Sequence, residues 1–310
     1  MHAWKCDETR PVPGLFLSSS NEPPLPGPGE LLIRVHASGV TPSELLWYPT
    51  THTESGMPRR NAIPGHEFSG IVEAAGDGAD FSPGDEVFGM NDWFADGATA
   101  ELCVTPSSMV IAKPSRLSHA EAATVPIGAL TARQGLFDRA QLQPGERVLI
   151  HGGSGAVGVF AVQLAAQRGA EVLTTASGRN RDVLLQLGAR QVIDYHTERF
   201  EDLASSVDVV FDTVGGETLR RSWDLLGPHG RLVTIAAQSE STTDQRTRDA
   251  FLLVKADQGQ LREIASQLEA GQLRPFVNGI VSFDQAGIAY TRREPQRGCG
   301  KTVVQVIARK

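Results

Sequence analysis

Residues 147–158 read Arg-Val-Leu-Ile-His-Gly-Gly-Ser-Gly-Ala-Val-Gly, and no other stretch restricts the fold as much. An apolar run, Arg147 to His151, leads into Gly153-x-Gly155-x-x-Gly158, and the apolar segment Ala156 to Arg168 continues as a helix. Glycines at this spacing between a strand and a helix suit a dinucleotide. The first permits a tight turn, the second lets the backbone approach a pyrophosphate, and the third lets the helix pack on the strand. Backbone N–H groups along Gly153, Ser154, Gly155, Ala156 and Val157 would then meet the diphosphate at the positive end of the helix dipole. The competing reading is a glycine-rich turn that binds nothing.

The following sequence favours the dinucleotide. Strands are expected at Glu171 to Ala176, Gln191 to Ile193, Val207 to Thr213 and Arg231 to Ala236. Helices are expected at Arg181 to Leu187 and from the end of the Val207 strand to about Leu226. Unbroken apolar strands alternating with helices are the pattern of an α/β, doubly wound parallel sheet. A site for NAD usually carries an Asp or Glu about 20 residues after the glycine motif, on the ribose 2′-OH. Here Thr174 to Asn180 reads Thr-Thr-Ala-Ser-Gly-Arg-Asn, with no carboxylate. The Ser177 hydroxyl and the Arg179 guanidinium could instead hold a 2′-phosphate, which points to NADPH. A solvated surface arginine is the alternative for Arg179.

The flanks have a different rhythm. The Pro/Gly stretch Pro23 to Gly29 cannot be helical and precedes a short strand, Leu31 to Val35. Phe68 to Ala75 reads as a strand stopped by Gly76-Asp77-Gly78, and the turn Ser82-Pro83-Gly84-Asp85 leads into Glu86 to Phe88. Short strands between turns suggest a partly closed antiparallel barrel. Ser118-His119-Ala120-Glu121 has the form of a capping box and opens a helical region. After a helix from about Gln258 to Ala270, strands are expected again at Phe276 to Val281 and Thr302 to Ile307. We therefore expect a barrel domain formed by 1–117 and 276–310 around a dinucleotide-binding domain, 118–275.

Composition closes off several function classes. Hydrophobic residues at 40% and charged residues at 21% of 310 fit a globular chain with two cores. A net charge of −7 disfavours general binding to nucleic acid or to an anionic membrane. Cys6, Cys103 and Cys299 are odd in number, far apart and in no CxxC pair, which argues against a disulfide framework or a zinc cluster. The longest apolar stretch, Gly152 to Ala166, is shorter than the roughly 20 residues of a membrane span. Met1 to Glu8 lacks the apolar core of a signal peptide, so a cytoplasmic enzyme is expected.

Several segments together resemble the medium-chain dehydrogenase/reductase superfamily. They are Ala37-Ser38-Gly39-Val40, Pro64-Gly65-His66-Glu67-Phe68-Ser69-Gly70, Pro83-Gly84-Asp85-Glu86-Val87, Gly128-Ala129-Leu130-Thr131-Ala132, the glycine loop, Leu187-Gly188-Ala189 with Val192-Ile193-Asp194-Tyr195, and Gly300-Lys301. The resemblance implies a GroES-like β-barrel catalytic domain, a Rossmann domain and an active-site cleft between them. Within the family, the zinc-dependent alcohol dehydrogenases have a Cys ligand where this chain has Thr41, and a four-cysteine lobe where Phe88 to Val104 contains only Cys103. Zinc wants three or four ligands in tetrahedral array, and His66 with Glu67 does not supply them. The zinc-independent quinone oxidoreductase branch fits better, although its usual Asn-x-x-Asp is here Thr41-Pro42-Ser43-Glu44.

That branch implies the remaining site residues. Thr41, Glu44, Trp47 and Tyr48 should border the acceptor. Thr131, Val214, Phe251 and Leu253 should lie by the nicotinamide, and Tyr195 by the 2′-phosphate, unless Tyr195 is merely an amphipathic strand end. A metal-free site suits quinones or α,β-unsaturated carbonyls, which take hydride readily. An enoyl thioester reductase and a non-catalytic NADPH-binding protein are the alternatives. The proton donor is open between Tyr48 and solvent. Ala250 to Val254 should form the last strand of the parallel sheet, an apolar edge through which family members commonly pair, and a homodimer is expected unless a helix or loop covers it.

Overall fold

Backbone pairing sorts the strands into three sheets, and their order in the chain shows how one domain is inserted in another. The computed structural model describes residues 1–7, 14–20, 24–240, 242–291 and 298–307, so Pro23 of the Pro/Gly stretch lies outside the described residues. The strands are β1 (His2–Asp7), β2 (Gly14–Ser19), β3 (Glu30–Gly39), β4 (Glu67–Ala75), β5 (Glu86–Met90), β6 (Leu102–Pro106) and β7 (Val110–Ala112), then β8 (Arg147–His151), β9 (Glu171–Ala176), β10 (Gln191–Asp194), β11 (Val207–Asp212) and β12 (Leu226–Thr234), and finally β13 (Val277–Ser282) and β14 (Lys301–Gln305). Two compact units result: Met1–Ile127 with Ala256–Arg297 and Lys301–Lys310, and Gly128–Lys255 with Gly298–Gly300.

The first unit is GroES-like. Its main sheet runs β13-β14-β3-β4-β5-β7, with β6 also on β3, and β1 and β2 form a separate pair. All of these pairings are antiparallel except β13 with β14. Leu31, Ile33 and Val35 alternate along β3 and bury one face against Phe68, Val72, Val87 and Val110. Gly70 is required opposite them, since a Cβ there would stand 2.3 Å from the Arg34 carbonyl oxygen. The capping box forms as expected: the Ser118 side chain accepts from Glu121 N, and Glu121 returns to Ser118 N, at the start of the short helix His119–Ala122.

The second unit is a five-stranded parallel sheet in the order β10-β9-β8-β11-β12. Leu149, Leu173, Ile193 and Val210 from four of these strands share one core cluster with Leu219 and Leu225 from the helical segment after β11. The chain leaves β8 first toward β9 and β10, and later toward β11 and β12. The C-terminal ends of β8 and β11 therefore mark the point where strand order reverses, the usual ligand crevice of such sheets.

Two expectations need correction. The helix Gln258–Glu269 belongs to the first unit, not to the dinucleotide-binding unit. Its first side chain, Gln258, donates to the carbonyls of Ser107 and Val110 (3.2 and 2.9 Å), and Arg116 donates to Glu269 O at its far end. Residues Ala250 to Val254 do not form a sixth strand. Phe251 makes a single parallel bridge to Thr234, and Leu252 N donates to Thr234 O. The chain then leaves the ladder because the Lys255 peptide is held on both sides by the Gln134 amide, at 3.1 and 2.9 Å. No helix among the described residues is long and apolar enough to cross a membrane.

Candidate functional site

The glycine loop sits at the end of β8, and its glycines have distinct spatial duties. A Cβ on Gly153 would meet the Thr174 hydroxyl at 2.0 Å, and one on Gly158 would meet the Gly152 carbonyl at 2.2 Å. Both are closed by the protein itself. A Cβ on Gly155 would meet only Gly152 O, at 3.2 Å, which leaves that face of the loop open. This is the arrangement a diphosphate needs: two glycines for packing and one for close approach.

Two buried side chains outside the glycine motif hold this region. His151 ends β8 with Nδ1 3.1 Å from Thr175 Oγ1 and Nε2 2.9 Å from Ser222 Oγ, and burial pushes its pKa down to about 4. It is thus a neutral structural imidazole at pH 7. Asp212 ends β11, and its carboxylate accepts from Val214 N, Gly215 N and the Thr234 hydroxyl at 3.1, 3.0 and 2.7 Å. The turn that carries Val214, which is exposed, is therefore set by a buried Asx turn. An Asp at a strand end, three residues before Gly215, was the available signal.

Ser177 and Arg179 follow β9. Arg179 is exposed and makes no ion pair among the described residues, whereas the nearby Arg181 pairs with Glu198 at 3.1 Å. The turn is less free of acid than its sequence implies. The Asp194 carboxylate, from the end of β10, packs so closely that a Cβ on Gly178 would lie 2.4 Å from Asp194 Oδ2. Tyr195 beside it is exposed, its ring 4.2 Å from that of His196. Thr131 is buried in the helix Pro126–Arg133, while Phe251 is partly exposed and Leu253 exposed.

In the first unit, Thr41 stands at the N-cap position of the single turn Pro42–Leu46 without a side-chain capping bond, and Tyr48 begins the next turn. Tyr48 is 47% exposed and stacks on His52 with centroids 4.5 Å apart. Trp47 meets Trp93 edge-on at 4.9 Å, and Trp93 lies 5.2 Å from the His66 ring. Glu44 is turned inward instead of bordering the acceptor. At 0% exposure it contacts His66 Nδ1 and accepts from Gly65 N at 2.8 Å. His66 Nε2 faces Ala95 O at 3.2 Å, so both nitrogens of that ring are engaged.

A buried lysine–carboxylate pair lies behind Thr41. Lys301 Nζ contacts Glu67 Oε1 in full burial and donates to Thr41 Oγ1 at 3.2 Å. Glu67 Oε2 accepts from Ile127 N at 3.0 Å. His66-Glu67 and Gly300-Lys301 are separate motifs in the sequence, and nothing local in either one shows that they join.

Known proteins resemble the chain along nearly its whole length. Residues 27–115 match the alcohol dehydrogenase GroES-like domain, and residues 187–304 match the zinc-binding dehydrogenase family. The chain is 30% identical to the NAD(P)H oxidoreductase RTN4IP1, mitochondrial, of Danio rerio, with 99% of this chain and 92% of the relative covered. It is 31% identical to the 2-methylene-furan-3-one reductase of Solanum lycopersicum, covering 99% and 79% respectively. The solved structure of the quinone oxidoreductase from Coxiella burnetii superposes with a TM-score of 0.86 at 30% identity, covering 99% of each chain.

Proposed function

Since the chain belongs to the quinone oxidoreductase-like branch of the medium-chain dehydrogenase/reductase superfamily, we propose that it is an NADPH-dependent reductase that passes hydride, without a metal, to a quinone or an α,β-unsaturated carbonyl. The observation that carries the metal-free reading is the state of Thr41 and His66. Thr41 offers a hydroxyl where a cysteine ligand would stand, and His66 spends both nitrogens on Glu44 and Ala95. Among the described residues no group of three His, Cys, Asp or Glu side chains is placed to hold a metal ion. The donor set therefore does not suit zinc.

The residues do suit a nicotinamide dinucleotide, whose reduced ring supplies hydride when bound. The open face at Gly155 would take the diphosphate with the backbone of Gly153 to Val157, and the unpaired Arg179 with Ser177 and Tyr195 would take the 2′-phosphate. Thr131, Val214, Phe251 and Leu253 would border the nicotinamide. The similarity to the tomato relative, a reductase of a methylene-furanone, favours the enone over the quinone as acceptor class. A cytoplasmic homodimer completes the proposal, joined through the exposed Leu253 segment beside β12.

Steady-state NADPH oxidation with a simple quinone and with an enone tests the reading, before and after dialysis against a chelator. Turnover of either acceptor should survive dialysis, with no stoichiometric zinc by elemental analysis. One zinc per chain with activity lost on its removal would overturn the metal-free assignment, and no turnover with either acceptor would overturn the reductase.

A further inference from the structure

We infer that Asp194 is the acceptor for the adenosine ribose 2′-hydroxyl, and that the site therefore takes NADH as a second cofactor beside NADPH. The inference rests on the dinucleotide reading of the glycine loop above, and every residue it uses lies in the second unit. In the usual arrangement a carboxylate at the end of the strand after the glycine helix bonds that hydroxyl. Here that strand, β9, ends at Ala176 and continues as Ser177-Gly178-Arg179, so it brings no carboxylate of its own.

The next strand supplies one instead. β8, β9 and β10 are neighbouring parallel strands, and Asp194, the last residue of β10, stands level with Ala176. Gly153 N donates to Thr175 O at 3.0 Å, which ties the glycine loop to the same end of β9. Two strand spacings, roughly 10 Å, thus separate the strand of the glycine loop from that of Asp194. The carboxylate does not stay over its own strand but lies across the turn after β9. A Cβ on Gly178 would stand 2.4 Å from Asp194 Oδ2 and 3.2 Å from its Cγ. Glycine at 178 is what leaves that space to the carboxylate.

Its two oxygens are in different states. Oδ1 accepts from His196 N at 3.1 Å, which holds the side chain in place, while Oδ2 accepts from no described residue. Asp194 is partly exposed, so Oδ2 is open to a ligand. No cation among the described residues pairs with it. Arg181 is engaged by Glu198 at 3.1 Å, and the same Glu198 oxygen accepts from Asp194 N at 2.7 Å. Arg179 is exposed and pairs with no acid among the described residues. The turn therefore offers an anion and a cation that do not neutralise each other. A ribose 2′-hydroxyl has a hydrogen to donate and is suited to Oδ2. A 2′-phosphate is repelled by that oxygen and is suited to Arg179 and Ser177. NADH is held through Asp194, NADPH through Arg179, and the carboxylate sets the ratio between them.

The test measures equilibrium binding to the whole chain by nucleotide fluorescence. The ligands are NADPH, NADH and 2′-deoxy-NADH, which lacks only the adenosine 2′-hydroxyl. The proteins are wild type, Asp194→Ala and Asp194→Asn. Wild type should bind NADH, and loss of the 2′-hydroxyl should weaken it roughly tenfold to a hundredfold, the worth of a hydrogen bond to a charged group. In Asp194→Ala, NADH should weaken by a similar factor, and loss of the hydroxyl should then cost nothing further. Asp194→Asn keeps an acceptor for His196 N, so it should preserve the turn. It should weaken NADH and tighten NADPH, the latter by about fivefold, the worth of removing one like charge at about 4 Å in water. Opposite signs for the two cofactors are a result that a damaged turn does not give. A wild type that binds NADPH but not NADH, or a 2′-hydroxyl worth the same with and without the Asp194 carboxylate, would overturn the role of Asp194 alone. A wild-type chain that binds neither cofactor would overturn the dinucleotide reading and the role of Asp194 with it.

Discussion

Alanine at Gly153 and alanine at Gly155 should have opposite consequences, although the two positions are two residues apart in one loop. Neither glycine lies in the left-handed region, so a methyl group brings no backbone strain at either site. At Gly153 the new Cβ would sit 2.0 Å from Thr174 Oγ1 and 3.1 Å from Thr174 Cβ. Thr174 is fully buried, and its hydroxyl donates to Ile150 O at 2.8 Å. It can move only by breaking that bond, worth about 1 kcal/mol, on top of an overpacking cost of about 1–3 kcal/mol. Gly153→Ala should therefore lower the Tm of the cofactor-free protein by roughly 5–10 °C.

At Gly155 the methyl meets only the Gly152 carbonyl at 3.2 Å, which a shift of a few tenths of an ångström relieves. Reduced freedom of the unfolded chain offsets that strain by about 0.4–1 kcal/mol, so the Tm without cofactor should be nearly unchanged. The same methyl occupies the face where a phosphate would accept from backbone N–H groups. Losing one charge-assisted contact costs about 1.5–3 kcal/mol, a rise in Kd of roughly tenfold to a hundredfold. Thermal unfolding without ligand and NADPH titration by fluorescence separate the two effects. A Gly155→Ala protein that binds NADPH like wild type would refute the assignment of the loop to the diphosphate.

The nucleotide's 2′ end gives a paired expectation. Arg179→Ala should weaken NADPH by about tenfold or more and leave NADH nearly unchanged, while Asp194→Asn, which removes the carboxylate packed on Gly178, should strengthen NADPH; equal Kd values for both cofactors in the unmutated protein would sink the 2′-phosphate site. Light scattering should give a dimer mass at micromolar concentration, and Leu253→Glu should shift it toward monomer with some loss of NADPH affinity; a monomeric wild type removes the edge-pairing idea. His151 supplies a pH dependence. Its folded pKa, about 4, lies below the 6.5 of the free side chain, so the unfolded state binds the extra proton and stability is lost as pH falls from 6.5 toward 4. The loss is about 2 kcal/mol at pH 5. Denaturant unfolding at pH 7 and pH 5 should show that difference in wild type and not in His151→Gln, and equal slopes in the two proteins would count against it.

What the sequence made legible is what short-range physics determines. The glycine loop, the parallel strands and the capping box depend on residues within a few positions of one another, and β8 to β11 appear where apolar runs place them, whereas β12 begins at Leu226, ahead of the apolar run expected from Arg231. The unread parts depend on partners far apart in the chain. Phe251 to Val254 has the composition of a strand, yet the Gln134 amide, more than a hundred residues earlier, captures the Lys255 peptide and ends the ladder after one bridge. The turn after β9 contains no carboxylate, yet β10 pairs beside β9 in a register that brings Asp194 level with Ala176. Glu44 looked like a pocket residue by its position in the motif, and its orientation was decided by Gly65 and His66, which the intervening loop returns to it. Lys301 is the sharpest case. A lysine at the start of a terminal strand reads as a solvated charge, and only the pairing of β14 with β3, and of β3 with β4, brings it to Glu67 and Thr41. Chemistry that needs a buried charge needs a partner from another strand, so in a sheet protein the groups that tune a site are the ones a linear reading is least able to assemble.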